Sequence, residues 1–388
     1  MKTRLFPRLF LLLLVCCASL SKAQDTEKER KWAINGYVKD LVTVNVLNDS
    51  TLVDNLIHNR LNFKWFPSDQ FTAYFEVRNR IFFGDMLGIP NFDQLVDVNN
   101  DYLDLSANWV DNESILFNSA IERAYVEWTN NDWEIRFGRQ RINWGTNLIW
   151  NPNDIFNTYS FFDFDYEERP GSDAIRITKY TGFASSLEFA ANINDDFDEL
   201  VMAGLWKINK WDYDFQVFAG KAREDLALGI GWAGNIKNAG FKGEISYFNP
   251  YDNPENPAVW IASLSADYSF ESSFYLHGSI LFNSDGDIQL PQGGFNSFNG
   301  ERLTVRTLSP YRYSTFLQTS YSFHPLISGG VAFIYYPGSN ALFINPSATF
   351  SLKSNLDLDV LSQLFYDEIA GDYQTVARLI FLRLKWSF

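Results

Sequence analysis

The chain has almost no cysteine, few charged residues and no long apolar run beyond its start. Both cysteines, Cys16 and Cys17, lie near the N-terminus of the 388 residues, so the remainder carries no disulfide and no thiolate metal site. Only 20% of residues are charged. Because no run of about 18 apolar residues follows the first segment, the sequence excludes a helical membrane protein.

Aromatic residues are abundant, with 35 Phe, 19 Tyr and 12 Trp. This content excludes an intrinsically disordered chain. The mean hydropathy is nevertheless -0.18, so apolar and polar residues must be finely interleaved. The formal net charge of -15 argues against nucleic acid and anionic membrane surfaces as partners.

The N-terminal segment has the features of an export signal. Basic residues precede an apolar stretch, and small residues follow it up to Ala23. This pattern predicts a signal peptide over residues 1–23 and a short periplasmic tail over residues 24–31. A lipoprotein with Cys16 or Cys17 acylated is the alternative.

A period of two residues dominates the rest of the chain. Near the C-terminus one face carries apolar residues: Ile380, Leu382, Leu384, Trp386 and Phe388. The opposite face carries Phe381, Arg383, Lys385 and Ser387. The pattern recurs in segments of about ten residues, the length of a tilted strand that crosses a bilayer. We expect the apolar sets to face lipid and the polar sets to face a lumen.

Turn signals predict how these strands are connected. Eight short connections, such as those near residues 67–70 and 130–132, alternate with long ones rich in Asn, Asp, Gly and Pro. The largest long connections are residues 85–118, 144–171, 249–257 and 283–310. Strict alternation predicts an all-β, antiparallel, up-and-down transmembrane barrel over residues 32–388, with short periplasmic turns and long extracellular loops. It has about eighteen strands, or sixteen if two are loop.

A ring of this size encloses a lumen too wide for side chains to fill, so it must hold water, folded loops or both. Arginines are predicted at its inward or rim positions: Arg60, Arg78, Arg80, Arg123, Arg136, Arg139, Arg141, Arg169 and Arg176. A stripe of guanidinium groups favours anionic solutes. Alternatively, these arginines pair with neighbouring carboxylates of a polar wall: Glu76, Glu122, Glu127, Glu134 and Asp173.

One predicted strand does not keep its alternation. If Glu134 and Arg136 face inward, the same parity places Arg139 and Arg141 in lipid, which costs about 2–4 kcal/mol for each at mid-depth. We therefore expect a β-bulge at Gly138 that reverses the parity. The competing explanation is that the strand has already left the bilayer.

Residues 144–171 combine aromatic and acidic side chains. We expect this loop to fold into the lumen and form a constriction, with its carboxylates opposite the arginine wall. The alternative is a lid whose aromatic residues pack only among themselves. The predicted constriction residues are Trp150, Asp154, Phe156, Asp163, Asp165 and Arg169.

Two parts of the sequence, the C-terminus and a set of internal segments, resemble known protein families. The alternating C-terminus with its final Phe388 resembles the recognition signal of bacterial outer-membrane proteins, which implies the barrel-assembly machinery as a partner. Residues 137–145 (FGRQRINWG), 151–157 (NPNDIFN) and 169–176 (RPGSDAIR) resemble Gram-negative porin-like proteins, including the alginate-export type. This second resemblance implies pore or loop-anchoring roles for matching positions: Arg139, Gln140, Arg141, Asp154, Arg169 and Arg176.

These features predict an outer-membrane porin-type channel for passive diffusion of small hydrophilic solutes, with anionic or saccharide solutes preferred. The alternatives are a channel that exports or imports a polyuronate-like polysaccharide, and a non-conducting barrel within a surface assembly. Outer-membrane lipid and lipopolysaccharide are the expected surroundings. The three scattered histidines indicate neither a metal site nor an enzyme, and no cofactor is expected. Asp97, Asn99 and Asp101 are predicted as solvated loop rather than a calcium site.

Overall fold

The computed structural model describes residues 30–47, 50–97, 101–165, 167–252, 256–287, 303–369 and 371–388. The predicted signal peptide, most of the predicted tail and Asn99 lie outside these residues. Among the described residues, no helix has the length and apolar character to span a membrane.

Strands make up nearly all of the described chain, because residues alternate between two environments along most of its length. The strands are β1 (Trp32–Leu47), β2 (Ser50–Ser68), β3 (Phe71–Gly84), β4 (Ser106–Asn112), β5 (Ile115–Asn130), β6 (Trp133–Gln140), β7 (Ser172–Gly182), β8 (Ser185–Asn192), β9 (Val201–Lys210), β10 (Tyr213–Ala222), β11 (Asp225–Ile236), β12 (Ala239–Pro250), β13 (Val259–Ser269), β14 (Phe274–Asn283), β15 (Tyr313–His324), β16 (Ile327–Tyr336), β17 (Ala341–Lys353), β18 (Leu356–Ile369) and β19 (Asp372–Ser387).

The sheet closes on itself. Each strand pairs antiparallel with its sequence neighbour, and β19 pairs with β1 from Tyr37↔Ser387 to Val46↔Arg378. Eighteen strands form the ring, because β3 pairs directly with β5 and the short β4 pairs with β5 alone. β4 pairs with the first half of β5, from Ile115 to Ala120, beyond the end of β6, which pairs with β5 from Ala124 to Asn130. The predicted eighteen-stranded barrel is confirmed, and the count of sixteen is wrong.

The connections follow the prediction only in part. All eight predicted short connections coincide with tight turns at the end of the barrel that carries both chain termini, the periplasmic end. Strict alternation with long loops is wrong, since only residues 223–224 join β10 to β11 at the opposite, extracellular end. Arg223 has a left-handed conformation there, with a φ of 57°.

The first long connection is shorter than predicted. It contains a 3-10 turn (Asp85–Gly88), the helix α1 (Phe92–Val96) and β4. The next barrel strand already begins at Ile115, because Asn112 closes a tight turn by accepting hydrogen bonds from the backbone of Ser114 and Ile115.

The outer face of the barrel is apolar, as expected. Trp206, Ile280 and Leu382 on β9, β14 and β19 are 50%, 54% and 46% exposed. The inner face differs from the prediction, since it is not uniformly polar. From β9 to β17, many inward-facing positions are buried apolar side chains: Leu205, Phe218, Phe248, Ile261, Leu281, Phe316, Ile334 and Phe343. They are shielded from water because residues 141–171 pack against them.

The predicted position of the β-bulge, at Gly138, is wrong. Pairing of β6 with β5 and β7 runs through Gly138 without an extra residue, although its φ is 116°. The extra residue lies on β5 instead, where the pairing with β3 shifts between Glu76↔Arg123 and Val77↔Ile121. Arg141 lies beyond the strand, since β6 ends at Gln140, whereas Arg139 lies within β6, is buried and binds Asp173.

Candidate pore lining and constriction

Most of the predicted arginines are paired with carboxylates. Arg60 is fully buried and lies 2.5 Å from Glu76, and Arg78 lies 2.8 Å from Glu122. Three further arginines of the same wall form ion pairs: Arg136 with Glu127 and Glu134, Arg176 with Glu134, and Arg139 with Asp173. The predicted alternative partners of these arginines are therefore the observed ones. This wall, formed by β2, β3 and β5–β7, is close to charge-balanced.

The two remaining arginines of the wall contact backbone and amide groups. Arg80 donates to the carbonyl of Val96 and to Oδ1 of Asn118, at 2.7 and 2.9 Å. Arg123 donates to the carbonyls of Glu168 and Arg169 and so holds the end of the loop against β5.

Residues 141–171, here called the crossing loop, contact strands on opposite sides of the ring. At β12, Glu244 is fully buried and accepts hydrogen bonds from the backbone of Thr146, Asn147 and Asn153. At β8, Glu188 accepts a hydrogen bond of 2.6 Å from the Trp144 indole. Glu244 satisfies backbone donors that no regular secondary structure satisfies, and so fixes the loop's conformation.

The aromatic residues of the crossing loop pack on the wall rather than only on one another. Trp150 lies 6.3 Å from Phe316 of β15, centroid to centroid, and Phe162 lies 4.9 Å from Phe343 of β17. Phe156 is buried beside Trp144. This packing contradicts the alternative of a self-packed surface lid.

The acidic end of the crossing loop binds cations on β1, β2 and β19. Asp165 lies 2.8 Å from both Lys39 and His58. Burial alone would raise the pKa of Asp165, but the His58 hydrogen bond and the Lys39 charge outweigh it and hold that pKa below its ordinary value. The neighbouring Glu167 binds Lys385 at 2.7 Å. The loop therefore spans the barrel from β12 to β1.

Arg141 and Arg169 differ from the other arginines. In the described part of the chain neither forms an ion pair, and Nε of Arg141 is buried without a hydrogen-bond partner. Arg169 stacks over the Tyr159 ring, and burial together with the Arg141 charge lowers its pKa to about 10. Both line a cavity of about 240 Å³ that also includes Glu167.

Asp154 is buried in the same loop. Among the described residues, no side chain donates a hydrogen bond to either of its carboxylate oxygens, and the backbone N–H of Trp144 lies close to them. Burial raises its pKa to about 8, although the charge of Arg141 opposes the shift. Near neutral pH this carboxyl is therefore largely protonated, and it leaves the charge of Arg141 and Arg169 mostly uncompensated.

Two other predicted positions lie apart from that cavity. Asp163 lines a second cavity of about 250 Å³ together with Arg78, Arg80 and Arg139. Gln140 is fully buried and donates to the carbonyl of Ala174, which joins the end of β6 to β7.

Sequence reasoning missed several residues that position the loop. Lys39, His58 and Glu244 lie at inward positions of β1, β2 and β12, and strand parity could have identified them as lumen-facing polar groups. The segment 303–312 was also missed: Tyr311 is buried and stacks on Tyr336 at 4.1 Å. Beside it, Arg306 binds Asp225 across an extracellular cavity of about 470 Å³.

No protein-family model and no curated protein matches the chain. Solved structures do resemble it. Pseudomonas aeruginosa OccK5 (OpdH) has a TM-score of 0.59 at 8% identity, covering 92% of this chain and 98% of its own. Pseudomonas aeruginosa OccD3 (OpdP) has a TM-score of 0.56 at 8% identity, covering 94% and 93%. Acinetobacter baumannii OccAB2 has a TM-score of 0.54 at 9% identity, covering 92% and 98%. At such low identity these likenesses establish the fold, that of an outer-membrane barrel, and the expected likeness to the alginate-export type is not shown.

Proposed function

We propose that the chain is an outer-membrane porin-type channel for small hydrophilic solutes, with anions preferred, and that the crossing loop narrows its lumen. One observation carries this proposal. The guanidinium groups of Arg141 and Arg169 line a cavity in the loop, and neither forms an ion pair with a described carboxylate. Because the other predicted arginines are paired or bound to backbone and amide groups, these two supply the net positive charge available to a solute.

In this function the charges that select anions lie in the crossing loop, and not in the arginine wall of the strands that the sequence predicted. The ion pairs of Arg78 and Arg136 contribute little net field, since each guanidinium has a carboxylate within 3 Å. A unit charge about 4 Å from a permeating ion in water is worth about 1 kcal/mol, which corresponds to roughly a fivefold change in preference.

Replacing Arg169 by glutamine tests the assignment. We expect Arg169→Gln to reduce the anion-to-cation permeability ratio by up to about fivefold, because one uncompensated charge is lost. The reversal potential of single channels under a KCl gradient measures this ratio. The matched control is Lys179→Gln, which removes one positive charge from the outer surface of β7, where Lys179 lies over Trp133.

Equal reversal potentials for both variants and the unaltered protein contradict the assignment of selectivity to Arg169. A permanently closed barrel favours instead the role of a non-conducting component of a surface assembly. Block of the current by a polyuronate favours the polymer channel.

A further inference from the structure

The outer surface of the barrel carries a group of polar side chains on four adjacent strands. They are Asp40 on β1, Asn55 and Asn59 on β2, Asn79 on β3 and Ser119 on β5, here called the outer polar patch. Asn59 pairs directly with Asn79, and Asn79 with Ser119, so three of the five lie in one row across the sheet.

Strand alternation places this patch on the outside. Lys39, His58 and Arg60 are buried and contact the crossing loop or its neighbours in the lumen. Their immediate sequence neighbours, Asp40 and Asn59, therefore point away from the lumen. Asp40 is exposed, in agreement with that orientation.

Apolar residues lie on both sides of the patch along the same strands. On β2, Leu61 is 42% exposed toward the periplasmic end and Val53 is 47% exposed toward the extracellular end, with Asn55 and Asn59 between them. On β1, Val38 and Val42 flank Asp40. The patch thus lies within the apolar belt of the barrel rather than at its rim.

The patch is only partly satisfied by its own hydrogen bonds. Ser119 donates to Asn79, Asn79 donates to Asn59, and Asn59 donates to the carbonyl of Tyr37, at 2.6, 3.1 and 3.0 Å. Asn55 donates to Asp40. Each asparagine amide uses one of its two N–H groups in these bonds, and among the described residues Asp40 accepts a side-chain hydrogen bond only from Asn55.

Lipid acyl chains cannot form hydrogen bonds with the N–H groups and carboxylate oxygens of the patch that remain unpaired. An unpaired polar group is strongly disfavoured in hydrocarbon, and a carboxylate more so. Among the described strand residues, no other outward-facing Asn or Asp lies in the middle of a strand. The cost is therefore concentrated on one sector of the wall, β1 to β5.

We propose that the outer polar patch is the contact surface for a second copy of this chain. Side-chain amides both donate and accept, so the patch is complementary to itself. A second copy in the same membrane presents the same groups at the same depth, which an unrelated partner does not do by necessity. A two-fold axis between β2 and β3 places Asn59 of each copy opposite Asn79 of the other.

Cysteine cross-linking in the outer membrane tests this contact. The variant Asn79→Cys, with Cys16 and Cys17 replaced by Ala, carries one thiol at the centre of the patch. Because Asn79 of one copy lies opposite Asn59 rather than Asn79 of the other, the two thiols are offset, and we expect a short bis-maleimide cross-linker to join them into a covalent dimer of the chain. The matched control is Ala262→Cys, an outward-facing position between Trp260 and Leu264 on β13, and we expect it to remain a single chain.

A second variant separates the contact from simple lipid exposure. In Asp40→Leu/Asn59→Leu/Asn79→Leu, we expect the native mass in mild detergent to fall from two chains to one, while the heat-modifiable gel shift shows that the barrel remains folded. A single-chain mass for the unaltered protein overturns the proposal. So does a mass of three chains, cross-linking equal to the control, or a covalent adduct of Asn79→Cys with a different protein.

Discussion

At the scale of single residues, most of the predicted arginines of the described lumen bind carboxylates or backbone and amide groups, whereas Arg141 and Arg169 form no ion pair with a described residue. Strand parity predicted which arginines face inward, because every second residue of a strand shares one side of the sheet. It could not predict which of them remain uncompensated. That property depends on where the crossing loop places Asp154 and Glu167, and the loop has no periodic pattern.

The protonation of Asp154 makes the proposed selectivity depend on pH. Its pKa of about 8 means that the carboxyl is neutral below that pH and charged above it, close to Arg141, Arg169 and Glu244. A new negative charge repels anions, so we expect anion preference to fall as pH rises through about 8. Asp154→Asn should remove this step. Reversal potentials measured from pH 6 to pH 9 check the effect, and an unchanged step in the variant contradicts it.

Gly138 is required by its backbone conformation. Its φ is 116°, and an added Cβ would lie 2.2 Å from the carbonyl oxygen of Ala124. We expect Gly138→Ala to destabilise the barrel by about 1–3 kcal/mol, the usual cost of a strained backbone conformation. Urea unfolding followed by Trp fluorescence measures the change.

The control for that substitution is Gly278→Ala. At Gly278 the nearest atom to an added Cβ is 3.9 Å away, and its φ is not in the left-handed region. We expect a small effect on the free energy of unfolding. Equal destabilisation by both substitutions contradicts the steric explanation.

At the scale of elements, the alternating pattern and the turn residues determine the strands, and the predicted short turns are found where expected. The irregular elements were harder to predict. The bulge lies at Glu122, which binds Arg78 of the neighbouring strand, rather than at Gly138, and local sequence does not indicate that contact. Likewise, the aromatic content of residues 144–171 indicates burial, but not the surface that buries them.

Removing aromatic anchors should loosen the crossing loop. Phe162 packs on Phe343 and Phe365, and Phe164 packs on Phe381. Truncation of a fully buried Phe costs about 3–5 kcal/mol and truncation of these partly buried rings costs less, but together Phe162→Ala/Phe164→Ala should release the loop end and raise single-channel conductance. Phe189→Ala, a similar truncation on the outer face of β8, is the control. Conductance that stays the same in the double variant contradicts a constricting role.

At the scale of the whole molecule, the barrel has two different inner walls. One wall, from β9 to β17, is largely apolar and packs against aromatic residues of the crossing loop. The other, formed by β1–β3, β5–β7 and β19, carries charged groups. The closed fold was predictable because an apolar exterior with period two has no other stable form in a bilayer. The division of the lumen into an apolar wall and a charged wall was not predictable, because inward-facing apolar residues have the same pattern as strand residues of any buried sheet.

The decisive measurement for an anion-preferring channel is the reversal potential of single channels formed by the unaltered protein under a KCl gradient at pH 7. We expect ohmic current steps with a reversal potential displaced toward the chloride equilibrium potential. Absence of conductance, or displacement toward the potassium equilibrium potential, contradicts the proposed function.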